Sequence, residues 1–199
     1  MVSRRHVLAA SAGTAAVWAA PTVVGFGPIA AAQASTPPPT PPFVFGGGYY
    51  LTDPPVDLAP GATDLESNTF TFVFLESACY LTTSPITANW STDGAFDGND
   101  DDGTVIPAGI KVCSWLVHGD RITNGVLTGA ATFAQPVLGL IYENSEFAAT
   151  TYLENPATNY EYGPMEGNDT GTFDSSTNTV TWRMRFGGVT DQIRIITAC

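Results

Sequence analysis

Ser114, His118 and Asp120 stand close together in the run Val112-Cys113-Ser114-Trp115-Leu116-Val117-His118-Gly119-Asp120. These are the residue types of a hydrolytic triad, in which histidine takes the serine proton and a carboxylate orients the imidazole. Their spacing opposes that use. Residues 109–118 are apolar on both faces and read as one central strand. On a strand Ser114 and His118 lie roughly 13 Å apart, at ~3.3 Å per residue, whereas a nucleophile and its base meet at about 3 Å. No Gly-x-Ser-x-Gly elbow occurs. No catalytic residue is assigned, and His118 is expected to hydrogen-bond a loop through Asp120.

With 19 acidic side chains, carboxylate pairs of the kind that cleave glycosides arise by chance. Glu76 and Glu143 each end an apolar run and Glu161 lies between two tyrosines, but nothing in their spacing fixes a pair. The loop Asp93-Gly94-Ala95-Phe96-Asp97-Gly98-Asn99-Asp100-Asp101-Asp102-Gly103 suits a hard, oxygen-seeking cation. Asp97, Asn99 and Asp101 fall at the first, third and fifth positions of an EF-hand loop. Asp102 then stands where that loop needs glycine, and Ala108 where it needs glutamate. The loop therefore reads first as a solvated acidic turn, with a looser calcium site on Asp97, Asn99 and Asp101 as the alternative. No cofactor is required.

Trp90, Tyr160 and Tyr162 adjoin loops and are candidate faces for sugar stacking, whereas Trp115 and Trp182 sit in register with apolar neighbours and read as core. Cys79, Cys113 and Cys199 form no C-x-x-C, which gives zinc and thioredoxin-like chemistry no support. An oxidising compartment allows one disulfide among them, with the pairing open.

That compartment is indicated by the N-terminus. Ser3-Arg4-Arg5-His6-Val7-Leu8 matches the twin-arginine pattern, a weakly apolar run follows, and Ala32-Gln33-Ala34 is a small-x-small processing site before Ser35. Removal of residues 1–34 is expected. Gly25, Gly27, Pro21 and Pro28 weaken the alternative of a retained membrane helix. All 19 acidic residues lie beyond the signal, and its loss takes Arg4 and Arg5, so a chain of net charge −12 becomes more acidic still. The remaining basic residues are Lys111, Arg121, Arg183, Arg185 and Arg194. Such a surface repels nucleic acid and anionic membranes. The expected partner is a cell-envelope or extracellular component such as a polysaccharide, with no membrane insertion of the mature chain.

The elements that must position these residues are β-strands. Residues 35–46 form a Pro-rich spacer, whose Ser35–Pro42 stretch reaches roughly 25 Å as polyproline at ~3.1 Å per residue. Residues 47–199 form one domain. Apolar runs rich in Val, Ile, Thr, Phe and Tyr are broken by Gly, Pro, Asn and Asp. Strands are predicted near 43–46, 69–76, 78–83, 86–91, 104–107, 109–118, 125–134, 136–142, 145–152, 158–162, 177–186 and 191–198. Long loops are predicted at 53–67, 92–103 and 163–176. Val180-Thr181-Trp182-Arg183-Met184-Arg185-Phe186 alternates strictly, with one face for a core and one for water. The predicted fold is all-β, a two-sheet antiparallel β-sandwich of jelly-roll-like kind.

Three segments carry a family resemblance. They are Ser114-Trp115-Leu116-Val117-His118-Gly119-Asp120, then Gly129-Ala130-Ala131-Thr132-Phe133-Ala134-Gln135-Pro136-Val137-Leu138-Gly139, and last Asp191-Gln192-Ile193-Arg194. In this order they resemble exported bacterial β-domains of the "choice-of-anchor" type. Trp115 replaces a tyrosine of that pattern, and Ala148-Ala149-Thr150-Thr151-Tyr152 stands where an acidic residue is usual. The resemblance implies an exported surface or matrix domain and no particular reaction. The overall reading is a non-enzymatic exported protein acting through surface contacts. A carbohydrate-binding module is the alternative, and a secreted hydrolase the more distant one.

Overall fold

A computed structural model describes residues 38–61, 65–187 and 189–199. The expected twin-arginine signal, its expected processing site and the start of the predicted spacer lie outside the described residues. The chain is mostly β. Its strands are β1 Phe43–Phe45, β2 Gly48–Tyr50, β3 Thr71–Leu81, β4 Ile86–Ala88, β5 Gly94–Asp97 and β6 Thr104–Ile106. They continue with β7 Lys111–Gly119, β8 Gly125–Thr132, β9 Val137–Ile141, β10 Thr170–Asp174, β11 Thr179–Phe186 and β12 Asp191–Ala198. A helix, α1 Asn144–Ala149, and a 3-10 turn, Thr151–Leu153, follow β9.

Two five-stranded sheets form, in the orders β1-β8-β11-β10-β5 and β2-β3-β7-β12-β9, with β4 and β6 pairing separately. The alternation read in 180–186 holds. Val180, Trp182, Met184 and Phe186 are buried and point at the second sheet, where they meet Val73, Trp115, Val117, Ile193 and Ile195. The indoles of this core each find a hydroxyl, Trp115 Nε1 on Thr197 Oγ1 at 3.2 Å and Trp182 Nε1 on Thr71 Oγ1 at 2.9 Å, as buried tryptophans generally require. Gly129 lies opposite Trp182; a Cβ there would stand 2.6 Å from the indole, so the close approach depends on glycine.

The second sheet is covered on both faces. Its outer face packs Phe74, Val112, Leu116, Ile141 and Ile196 against Leu58, Phe147 and Leu153 of the loops and the helical segment. Two hydrophobic layers thus share β7 and β12, which explains why both strands are almost wholly buried.

The expectation of purely antiparallel sheets fails at one place. β2 runs parallel to β3, with Tyr49 opposite Phe72. Gly46 and Gly47, both at positive φ (66° and 98°), turn the chain from β1 in one sheet to β2 in the other. β1 itself pairs with β8, in line with the strand predicted near 43–46, so among the described residues sheet structure begins inside the 35–46 stretch.

Other departures have local causes. Residues 145–152 are α1 and the 3-10 turn rather than a strand. Glu146, Ala148 and Ala149 favour helix, only Phe147 of α1 is buried, and Thr150 Oγ1 closes the end by donating to the Glu146 carbonyl at 2.6 Å. Residues 158–162 form no strand, and what pairing they make is a single parallel bridge from Asn159 to Asp57. The loops predicted at 92–103 and 163–176 contain the mutually paired strands β5 and β10. Their signal was thin because Gly94 and Gly171 occupy them, the latter leaving room for the Phe96 ring. The runs 69–76 and 78–83 are a single strand, β3, interrupted by two bulges.

Candidate functional site

The outer face of the second sheet carries a line of polar side chains inside an apolar layer. β3 supplies Glu76, β7 supplies Ser114 and His118, and β12 supplies Gln192 and Arg194. The bulge after Leu75 sets Glu76 beside Ser114, and the β7–β12 register places Gln192 directly across from His118.

Arg194 and Glu76 have side chains with no solvent exposure. The guanidinium donates through Nε to Glu76 Oε2 at 2.7 Å and through Nη2 to Oε1 at 2.9 Å. This two-pronged geometry is the strong form of the pair. Its Nη1 donates to Thr150 Oγ1 at 2.6 Å, Glu154 Oε1 lies 3.5 Å from Nη2, and the guanidinium carbon stands 5.1 Å from the centre of the Phe147 ring. Burial works against the cation, but Glu76 outweighs it and raises the guanidinium pKa. The 144–154 segment is thereby pinned over the sheet.

Ser114 Oγ donates to Glu76 Oε2 at 2.6 Å. His118 is 1% exposed and its Nδ1 lies 3.1 Å from Gln192 Nε2. Burial lowers its pKa to about 4, so the ring is neutral at physiological pH. Gln192 Nε2 also donates to the Glu161 carbonyl at 2.9 Å. Ser114 and His118 therefore serve different partners and form no nucleophile–base pair. The route expected for His118 also differs. It reaches the 161–163 segment through Gln192, while Asp120 separately receives the Gly61 amide at 2.9 Å and, on its carbonyl, the Ser67 amide at 2.8 Å.

Of the carboxylates weighed for acid–base work, Glu76 is committed to Arg194. Glu143 precedes α1, and burial, aided by Glu146 and Asp101, raises its pKa. Glu161 lines a cleft of about 150 Å³ with Pro60, Tyr162, Glu166 and Thr190. In the acidic loop, Asp97 Oδ1 accepts the Asn99 amide and Asp101 Oδ1 the Gly103 amide, each at 2.8 Å. Asp102 Oδ2 accepts the Ser91 and Thr92 amides at 2.8 and 3.2 Å. These carboxylates brace their own backbone. Among the described residues, the one set of three Cys, His or acidic side chains whose ligand atoms lie within 4.8 Å of one another is Cys79, Cys113 and Cys199.

The candidate sugar-stacking rings are partly buried and packed. Trp90 joins the core between the sheets, 6.1 Å from the Phe96 ring. Tyr162 stacks on Phe147 at 5.2 Å and its hydroxyl donates to Glu154. The Tyr160 hydroxyl accepts the Asn155 amide at 3.0 Å. The open aromatic surface lies elsewhere. Phe43 is 71% exposed, Tyr49 54%, Phe70 43% and Phe45 41%. Phe43 and Phe45 stack with centroids 5.5 Å apart, and Tyr49 lies 6.2 Å from Phe70. The Phe43-Val44-Phe45 alternation, with Val44 inward, was the available signal for it.

Asp191 is the group that sequence reasoning missed. It is 0% exposed and neither carboxylate oxygen has a hydrogen-bond partner. Burial raises its pKa to about 8, helped by Asp169 and Glu166. The neighbouring Asp169 is spent, accepting the Arg185 amide at 2.6 Å and the Glu166 amide at 2.7 Å.

Cys79 and Cys199 are joined as a disulfide, leaving Cys113 as a buried free thiol. Among the described residues no helix is long and apolar enough to cross a membrane. Comparison with protein-family models, curated proteins and solved structures returned no match.

Proposed function

We propose that this chain is an exported, non-enzymatic β-sandwich, jelly-roll-like in kind, that acts in the cell envelope or extracellular space through surface contacts. The observation that carries the reading is the set of exposed rings on β1, on β2 and just before β3: Phe43, Phe45, Tyr49 and Phe70. Solvent-exposed aromatics of this size are the residues that anchor interfaces. The twin-arginine signal, the acidic surface and the Cys79–Cys199 bridge fit a destination outside the cytoplasm. The engagement of Ser114 by Glu76 and of His118 by Gln192 speaks against a hydrolase built on them.

A carbohydrate-binding role is the second reading, and the stacked Phe43–Phe45 pair favours it because sugar rings pack flat on aromatic faces. Co-sedimentation with insoluble envelope polysaccharide tests both. The expected result is binding by the mature protein and loss in a Phe43→Ser/Phe45→Ser/Tyr49→Ser variant with an unchanged melting temperature. Binding unaffected by the three substitutions overturns the aromatic surface as the contact site. Binding to envelope proteins but not polysaccharide, still lost in the variant, keeps the first reading and removes the second.

A further inference from the structure

We propose that Cys79, Cys113 and Cys199 form a thiol–disulfide exchange centre, in which the disulfide passes between Cys79–Cys199 and Cys113–Cys199.

Three strands build the centre. Cys113 lies on the core-facing side of β7, with β3 on one side and β12 on the other. On β3, the bulge between Ser77 and Tyr80 contains Cys79 at φ 49°, a left-handed conformation that a residue with a side chain seldom adopts. Such outliers persist where surrounding structure enforces them and concentrate at functional sites. On β12, Thr197 pairs with Cys113 and Ala198 with Val112, so Cys199 follows directly beside them. The result brings Cys113 Sγ to 3.3 Å from Cys199 Sγ and 3.9 Å from Cys79 Sγ.

Burial raises the Cys113 pKa, and the Cys79 amide, which donates to Cys113 Sγ at 3.3 Å, offsets part of that rise. Cys199 is exposed, Cys79 partly so and Cys113 fully buried. The Cys113 thiolate attacks Cys199 Sγ. A Cys113–Cys199 bond forms, the Cys79–Cys199 bond breaks, and its electron pair leaves on Cys79, which takes up a proton while Cys113 has released one to solvent. The count of thiols and disulfides is unchanged and no oxidant is consumed. Exchange carries the free thiol from a buried position to a half-exposed one, where an external thiol or electrophile reaches it.

The test is N-ethylmaleimide labelling of the folded mature protein at pH 8.5, followed by peptide mapping of label and disulfide. The expected product carries label on Cys79 with a Cys113–Cys199 disulfide, and trace reduced glutathione speeds its appearance. A Cys113→Ser variant, checked for an unchanged far-ultraviolet circular dichroism spectrum, takes up no label. Label confined to Cys113, or none until the protein is denatured, overturns the proposal. Should Cys113→Ser fail to fold, the wild-type map decides alone, because label on Cys79 requires the bond to have moved.

Discussion

Replacing Asp191 with asparagine is expected to stabilise the protein at neutral pH and to leave it nearly unchanged in acid. The carboxyl is fully buried, without a partner on either oxygen, and its pKa rises from 3.8 to about 8. A group whose folded value is raised favours the folded state fully below about pH 4. That stability is lost progressively as the pH climbs towards 8, because the unfolded chain ionises freely while the folded one cannot. At about 1.4 kcal/mol per pH unit of mismatch, the loss reaches about 4 kcal/mol at pH 7 and about 6 kcal/mol above pH 8. These are upper figures, since relaxation and water entry reduce such penalties. The asparagine amide matches the carboxyl in shape and carries no charge, so it escapes this loss. A gain of roughly 2–4 kcal/mol at pH 7, falling to near zero at pH 4, is the expected outcome. Urea denaturation of both proteins at pH 4, 7 and 8.5 measures it, provided the denaturant slopes agree. A variant less stable than wild type at pH 7 would refute the reasoning, because it would mean that the carboxylate is ionised and held by a positive partner.

His118 produces the opposite slope: its folded pKa of about 4 lies below the ordinary 6.5, so up to about 3 kcal/mol should be lost as pH falls from 6.5 towards 4. In a urea series over that range, His118→Gln should flatten the acid limb, and an unchanged limb would show that another group drives it. Arg194→Met leaves Glu76 buried without its partner, which typically costs 3–5 kcal/mol; adding Glu76→Leu should recover much of it, and no recovery would place the loss in packing under Phe147. The acidic loop, held by its own amides, should melt at the same temperature in calcium as in chelator, whereas a calcium-dependent rise would assign an ion to Asp97, Asn99 and Asp101.

What the sequence determined by itself follows from short-range periodicity. Val180 to Phe186 alternates because successive strand side chains point to opposite faces, and the apolar Ile110–Val117 run meant a strand covered on both sides. The structure has β11 and β7 in those places. Trp115 and Trp182 were legible as core for the same reason, each being in register with buried neighbours. The acidic character of the surface needed no structure at all. Where glycine, threonine and aspartate dilute the pattern, as in β5 and β10, or where Ala and Glu favour a turn of helix, as in α1, local reading failed.

Tertiary structure alone decided the partners. The Glu76–Arg194 pair joins residues 118 positions apart, and its sequence signal was no more than an arginine among isoleucines. Which cysteines pair depends on a bulge at Cys79 and on where β12 ends, and the isolation of Asp191 depends on what fails to reach it. Alternation tells a side chain which face to take. The neighbour it meets there comes from another strand, set by register and by the burial of two layers at once, and no window of the chain holds that information.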